Sequence, residues 1–463
     1  MKANISQNKY KKSQVFKKSV TAVMLLNMMY MSALPVVGNF DPNVVTFAAG
    51  AATEAKTITG TGSINPPSLA LRSAILIEPS TGQVLLSMNP DEPLPPASMT
   101  KMMTEYIVAE QVKQGKLKWT DKVTINENAS KSIGSRIFLA QGDQHTVEEL
   151  YIAMAVGSAN DATVALAERV SGTEQDFVKL MNETAQKMGM KNTYFINSTG
   201  LDRKDMPTGF QPDTDRETVM TARDAATLAG YIIKDHPDYT RFTTIQSYKF
   251  RPTDKAPIIN YNWMLEANKN ITNFRKFAYP GLDGMKTGHT NNAGNCFTGT
   301  AERDGMRLIS VVMGADSDEH RFTETAKVLN YGFDNFEVKQ VVAPKTVVKG
   351  VENVPVTKGT ETEVPIVTKD AVSFIVPKGA SNPKVTFTTN ITPASSLVAP
   401  LKQGAKVGTI TYTYKTDGVD KGQTKTVDLV TTTAVEEGGW FRMLFRAIGD
   451  FFGDLFQGIK NLF

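Results

Sequence analysis

Pro95-Pro96-Ala97-Ser98-Met99-Thr100-Lys101 is the stretch from which the rest of the chain can be laid out. Two prolines cannot stand inside a helix, so a helix is expected to begin directly after them, with Ser98 at or near its cap. Met102, Met103, Tyr106, Ile107, Ala109 and Val112 then recur at helical spacing and give it an apolar face. Lys101 lies one turn from Ser98 on the same side. A serine hydroxyl keeps its proton and attacks poorly, but a neighbouring amine held neutral by burial can take that proton. Backbone N–H groups at a helix start also face the place where an oxyanion would develop. Alone the tetrad is a weak signal, because Ser and Lys on a capped surface helix are common.

Around this stretch the pattern alternates between strand and helix. SerAlaIleLeuIleGlu at 73–78 and GlnValLeuLeuSerMet at 83–88 read as strands, joined by a ProSerThrGly hairpin turn at 79–82. Helices are expected over 147–156, 159–170, 174–188 and 221–234, strands over 297–301 and 307–314, and a helix over 319–331. Strands at both ends with helices between them predict one α/β core over 70–336. Residues 337–436 are dense in Val, Thr, Lys, Gly and Pro and carry short alternating runs, so a small all-β module is expected there.

Two further motifs fall inside the α/β region. Ser158-Ala159-Asn160 sits at a bend between two helical stretches, where a hydroxyl and a carboxamide can point into one cleft. Read alone, helix capping explains it equally well. Lys286-Thr287-Gly288 reads as a strand whose Lys and Thr suit a terminal carboxylate, with a bare Gly where a substrate backbone can pair against the edge. By itself that triplet is a common turn.

Together, Ser-x-x-Lys, Ser-x-Asn 60 residues later and Lys-Thr-Gly another 128 residues on form the set found in penicillin-binding proteins and class A β-lactamases. The chain resembles the low-molecular-mass penicillin-binding proteins, the serine-type D-alanyl-D-alanine carboxypeptidases. AsnSerThrGlyLeu at 197–201 and AlaGlyAsnCysPheThr at 293–298 are similar to that family's surroundings. The resemblance implies an α/β (α+β) penicillin-binding/β-lactamase-like serine transpeptidase domain, an antiparallel sheet with helices, followed by a small all-β domain and a C-terminal amphipathic helix. It further implies Ser98 as the acylated nucleophile, Lys101 as its base, and Ser158 and Asn160 as the second wall of the cleft. Lys286, Thr287 and Gly288 would bind substrate, and the backbone N–H groups of Ser98 and His289 would form the oxyanion hole. The implied substrate is a peptidoglycan stem peptide ending in D-Ala-D-Ala, with β-lactams as covalent inhibitors and no cofactor. The alternatives are a β-lactamase or transpeptidase of the same fold, or a non-catalytic cell-surface binding module. A class A β-lactamase carries a GluxxLeuAsn element after the second motif, and 161–280 contains none.

Bulk properties narrow the rest. A formal charge of +4 over 463 residues, with no basic stripe, gives no reason to expect nucleic acid. The single cysteine, Cys296, permits no internal disulfide, and the four histidines form no HExxH pair. Cys296 sits in a strand-like run and reads as packing. Residues 1–51 read as a signal peptide: six lysines up to Lys18 precede an uncharged stretch from Ser19 to Phe40, and small residues follow at 48–52. A retained anchor is the rival reading, and both place the body outside the cytoplasm. Residues 52–69 form a Thr/Gly/Ser/Pro-rich linker. At 438–463, Phe441, Leu444, Phe445, Ile448, Phe452, Leu455, Ile459 and Leu462 recur at helical spacing among five charges. That segment is expected to lie on a membrane surface rather than span it.

Overall fold

The computed structural model describes residues 58–60, 64–380, 385–415, 422–442 and 448. The expected signal segment 1–51 lies outside the described residues, as does most of the 438–463 segment.

Six antiparallel strands form the main sheet: β1 (Ile58–Gly60), β2 (Ser73–Glu78), β3 (Gln83–Met88), β4 (Leu282–Thr290), β5 (Gly294–Arg303) and β6 (Met306–Ala315), in the order β1-β3-β2-β6-β5-β4. Strand alternation divides its residues between two cores. Ile75, Ile309 and Val311 face one way, with Phe177, Met181, Ala225 and Leu228 of the helices packed on them. Ala74, Leu76, Leu308 and Val312 face the other way, against Phe322, Val328 and Leu329. Covered on both faces, the central strands read as unbroken apolar runs.

The helices are α1 (Lys101–Lys113), α2 (Val147–Gly157), α3 (Asn160–Ser171), α4 (Glu174–Lys187), α5 (Ala222–Asp235) and α6 (Asp318–Asn335). Thr146 opens α2 with a capping box to Glu149, and Thr173, Thr221 and Ser317 cap α4, α5 and α6. Between α1 and α4 a third apolar cluster, including Val108, Leu150, Met154 and Leu166, forms a helical lobe beside the sheet. The helix expected at Ser98 starts later: Ala97–Thr100 is a single 3-10 turn, and α1 follows it from Lys101. Its burial also exceeds the apolar stripe. Lys101, Thr104 and Glu105 are buried too, so α1 runs through the interior with polar groups inside.

Strand β4 forms one edge of the sheet and carries a bulge near its start, where Leu282 pairs with Ala301 but Gly284 pairs with Thr300. The bulged Asp283 is clamped by Arg307, whose two terminal nitrogens donate to its carboxylate oxygens at 3.0 and 2.9 Å.

Helix α6 leads directly into β7 (Phe336–Val342), followed by β8 (Asn353–Pro355), β9 (Glu363–Thr368), β10 (Val372–Pro377), β11 (Val385–Ile391), β12 (Lys406–Tyr414) and β13 (Gln423–Thr431). β7 pairs with β10, and the other five form a sheet in the order β8-β9-β13-β12-β11. Val364, Val372, Val407, Ile410 and Leu429 fill the core of this β domain. Phe336 and Ile375 instead join the α6 side of the main sheet's core and seal the junction. Among the described residues no helix is long and apolar enough to cross a membrane.

Candidate active site

Ser98 is held up by a turn under strain. Ala97 immediately before it has φ +48°, a left-handed conformation that costs a non-glycine residue on the order of 1 kcal/mol. Two glycines keep it there by approaching closely. A Cβ on Gly200 would stand 1.9 Å from the Ala97 carbonyl oxygen, and one on Gly288 would stand 2.4 Å from that of Pro96. The glycine of Lys-Thr-Gly therefore lets β4 lie directly against the turn that carries Ser98, a packing reason that the sequence does not announce.

Lys101 is fully buried and donates from Nζ to Ser98 Oγ at 2.9 Å and to the Thr199 carbonyl at 2.8 Å. The Asn197–Leu201 loop exists to present that carbonyl. Asn197 Oδ1 accepts from the Gly200 N–H at 2.7 Å, and the buried Glu174 carboxylate accepts from both Ser198 N (3.0 Å) and Ser198 Oγ (2.6 Å). Burial and the nearby Lys286 charge push the Lys101 amine well below the usual lysine range, so its neutral form is accessible. Lys286 is brought down to about 8, chiefly by burial.

The three motifs meet, with a division of labour. Lys286, rather than Lys101, donates to Ser158 Oγ, at 3.0 Å. Ser158 closes α2 in a left-handed conformation, φ +53°, which turns its side chain back toward β4. Asn160, the first residue of α3, donates to the Ile133 carbonyl at 2.6 Å and leaves Oδ1 buried without a partner. Its neighbour Asp161 accepts from the Ile137 and Leu139 N–H groups and so fixes the loop that carries Ser135.

Ser98, Ser158, Thr287 and His289 line one cavity of about 480 Å³, while Lys101, Asn160 and Lys286 stand behind its wall. Trp263 and Phe274, stacked at 5.5 Å, make an aromatic side, and Arg321 supplies a cation. Arg321 is 3% exposed, pairs with Asp318 at 2.6 Å and donates to the Gly288 carbonyl at 3.3 Å. Asp318 is the one carboxylate among the described residues lining this cavity. With its amide nitrogen turned toward its acceptors, Asn295 bridges Asp318 and His289 Nδ1, at 3.0 and 3.2 Å. Sequence reading missed Glu105, Glu174 and Arg321, since each looks like a charge on the outer face of a helix. Cys296 is buried, and burial pushes its thiol up to about 11, as expected of a packing residue. Among the described residues no cluster of three His, Cys, Asp or Glu side chains could hold a metal. A larger hollow of about 870 Å³, with Ile77, Val84, Arg223, Tyr231 and Lys425 among its walls, contains none of the motif residues.

A serine hydrogen-bonded to a lysine one turn away, a Ser-x-Asn bend and a Lys-Thr-Gly edge strand on this sheet define the penicillin-binding class of serine acyl-transfer enzymes. Comparison with known proteins gives the narrower group. Residues 61–317 match the D-alanyl-D-alanine carboxypeptidase family, and residues 336–437 match the C-terminal domain of penicillin-binding protein 5. The chain is 35% identical to D-alanyl-D-alanine carboxypeptidase DacF of Bacillus subtilis, covering 82% of this chain and 89% of that one. It is also 35% identical to DacC of Escherichia coli, with 82% and 87% covered. Penicillin binding protein 5 from Haemophilus influenzae superposes with a TM-score of 0.61 at 32% identity, over 81% of this chain and all of that one. A peptidoglycan synthesis regulatory factor (PBP3) from Streptococcus pneumoniae superposes with a TM-score of 0.70 at 30% identity, over 80% of this chain and all of that one. The chain belongs to the D-alanyl-D-alanine carboxypeptidase family and is a serine hydrolase of that kind.

Proposed function

We propose that Ser98 is the residue acylated when this enzyme removes the terminal D-alanine from peptidoglycan stem peptides. The observation that carries the reading is the 2.9 Å bond between Lys101 Nζ and Ser98 Oγ, made by an amine that burial and a second cation keep close to neutrality. Neutral Lys101 takes the Ser98 proton as Oγ adds to the carbonyl of the penultimate D-alanine. The N–H groups of Ser98 and His289 receive the oxyanion. On collapse the C–N bond breaks, the proton passes to the leaving amine, with Ser158 and Lys286 on its path, and D-alanine departs. Water then cleaves the Ser98 ester by the same proton route in reverse. Thr287 holds the terminal carboxylate in the field of Lys286 and Arg321, and Asn160 orders the opposite wall. A β-lactam ring is opened by the same attack and leaves a slowly hydrolysed ester on Ser98. The lone lining carboxylate, Asp318, is tied to Arg321, which argues against the fast deacylation of a β-lactamase.

The expected signal segment, the substrate and the tail together support work outside the cytoplasmic membrane, on the cell wall. The exposed Trp440 and Phe441, ring-stacked at 3.6 Å where the tail begins, support a membrane-surface anchor formed by residues 438–463. A fluorescent penicillin should label the wild-type chain covalently, and a peptide ending in D-Ala-D-Ala should release D-alanine. Labelling that survives Ser98→Ala would sink the assignment.

A further inference from the structure

A buried acid, Glu105, stands near the proposed nucleophile. Glu105 lies one turn beyond Lys101 on α1, is 4% exposed, and its Oε1 has no hydrogen-bond partner. Burying an ionisable group in that condition costs stability. Glu105 also forms part of the wall of a separate cavity, about 220 Å³, whose lining includes the exposed residues Lys113 and Asp238. This rear cavity shares no lining residue with the one that contains Ser98.

We propose that Glu105 is a positioning residue that sets the charge of Lys101, exchanging its own proton through the rear cavity. The inference rests on the reading of Lys101 as the base. Taking the Ser98 proton turns Lys101 into an ammonium beside a second cation, Lys286. A carboxylate at Glu105 favours that product, and so raises the basicity of Lys101. Burial lifts Glu105 itself to about 7, opposed by Lys286 and Lys101. Other charged or titratable groups face this cluster. Asp161 comes from α3 and Tyr151 from α2, Arg321 stands beyond Lys286, and Asp235, His236, Asp238 and Tyr239 line the rear cavity. Glu105 stands between the rear cavity and both lysines.

The test is the pH profile of acylation by a fluorescent penicillin, using the full chain and Glu105→Gln, which keeps the shape and removes the charge. Lys101 becomes a weaker base, so the acid limb should move down by about one pH unit while the plateau falls about threefold, and the two profiles cross. A loss that is uniform across pH, or no change in the midpoint, would overturn the proposal. Should Glu105→Gln fail to fold, the carbon-13 titration of the Glu105 carboxyl in the wild-type chain decides. A midpoint well above about 4.3 supports the proposal and one at that ordinary value refutes it. Lys101→Met separates the two readings. Labelling at the wild-type rate would remove Lys101 as base, whereas lost labelling with an unshifted Glu105→Gln profile would remove the role of Glu105 alone.

Discussion

Around Ser98 the interior contains Lys101, Glu105, Asp161, Glu174, Lys286 and Arg321, while the β domain that follows is filled by Val364, Val407, Ile410, Leu429 and their like. Among its described residues the buried polar side chains are Thr368, Gln423 and Thr431, none of them charged. Both regions are ordered by apolar burial, yet only one takes charges out of water, at a cost of several kcal/mol per ion before pairing. The contrast teaches where to look for chemistry. A fold does not need a buried Lys–Glu–Lys cluster to be stable, so a chain that keeps one is spending stability on reactivity.

The sharpest way to break this comparison is Lys101→Met. Penicillin acylation should slow by about 10³-fold, while thermal unfolding should show a melting temperature equal to or above wild type, because the cost of burying a polar amine has been removed. A large drop in melting temperature would mean that the charge is structural. Gly288→Ala comes next. A Cβ there meets the Pro96 carbonyl, so β4 must retreat from the Ser98 turn, and acylation should fall by about 100-fold. Retained activity would show that the turn and the strand move independently. Leu429→Ala should cost about 3 kcal/mol in denaturant unfolding of the β domain yet leave acylation within about twofold. A matching loss of acylation would show that the β domain supports the site. Smallest of all, Cys296 should resist a thiol reagent in the folded protein and react only on unfolding.

Much of this was legible. The hairpin at 79–82, the helices from 147 onward and the all-β texture after 337 follow from period and turn residues, which local sequence controls. The three motifs could be placed on a turn, a bend and a strand for the same reason. What escaped was set by tertiary surroundings. Glu105 and Glu174 have the spacing of solvated helix charges; the packing of α1 between the sheet and the helical lobe makes the first interior, and Ser198 and Asn128 folded over the start of α4 make the second so. Arg321 is 32 residues from His289 in the chain, and α6 must fold back over β6 and β5, with Arg321 reaching the Gly288 carbonyl of β4, before the two share a cavity. Gly288 was noticed, but its steric partner, Pro96, lies nearly two hundred residues away, beyond the reach of any local pattern.

The bulge at Asp283 has a consequence for the parity of the edge strand. Successive side chains on a strand point to opposite faces, so inserting one extra residue decides which face every later residue takes. Three and four residues beyond the bulge come Lys286, turned inward to Ser158, and Thr287, turned into the cavity. The Arg307 clamp on Asp283 thus acts as a register pin. A slip by one position would exchange the two side chains and disarm the strand without touching either of them.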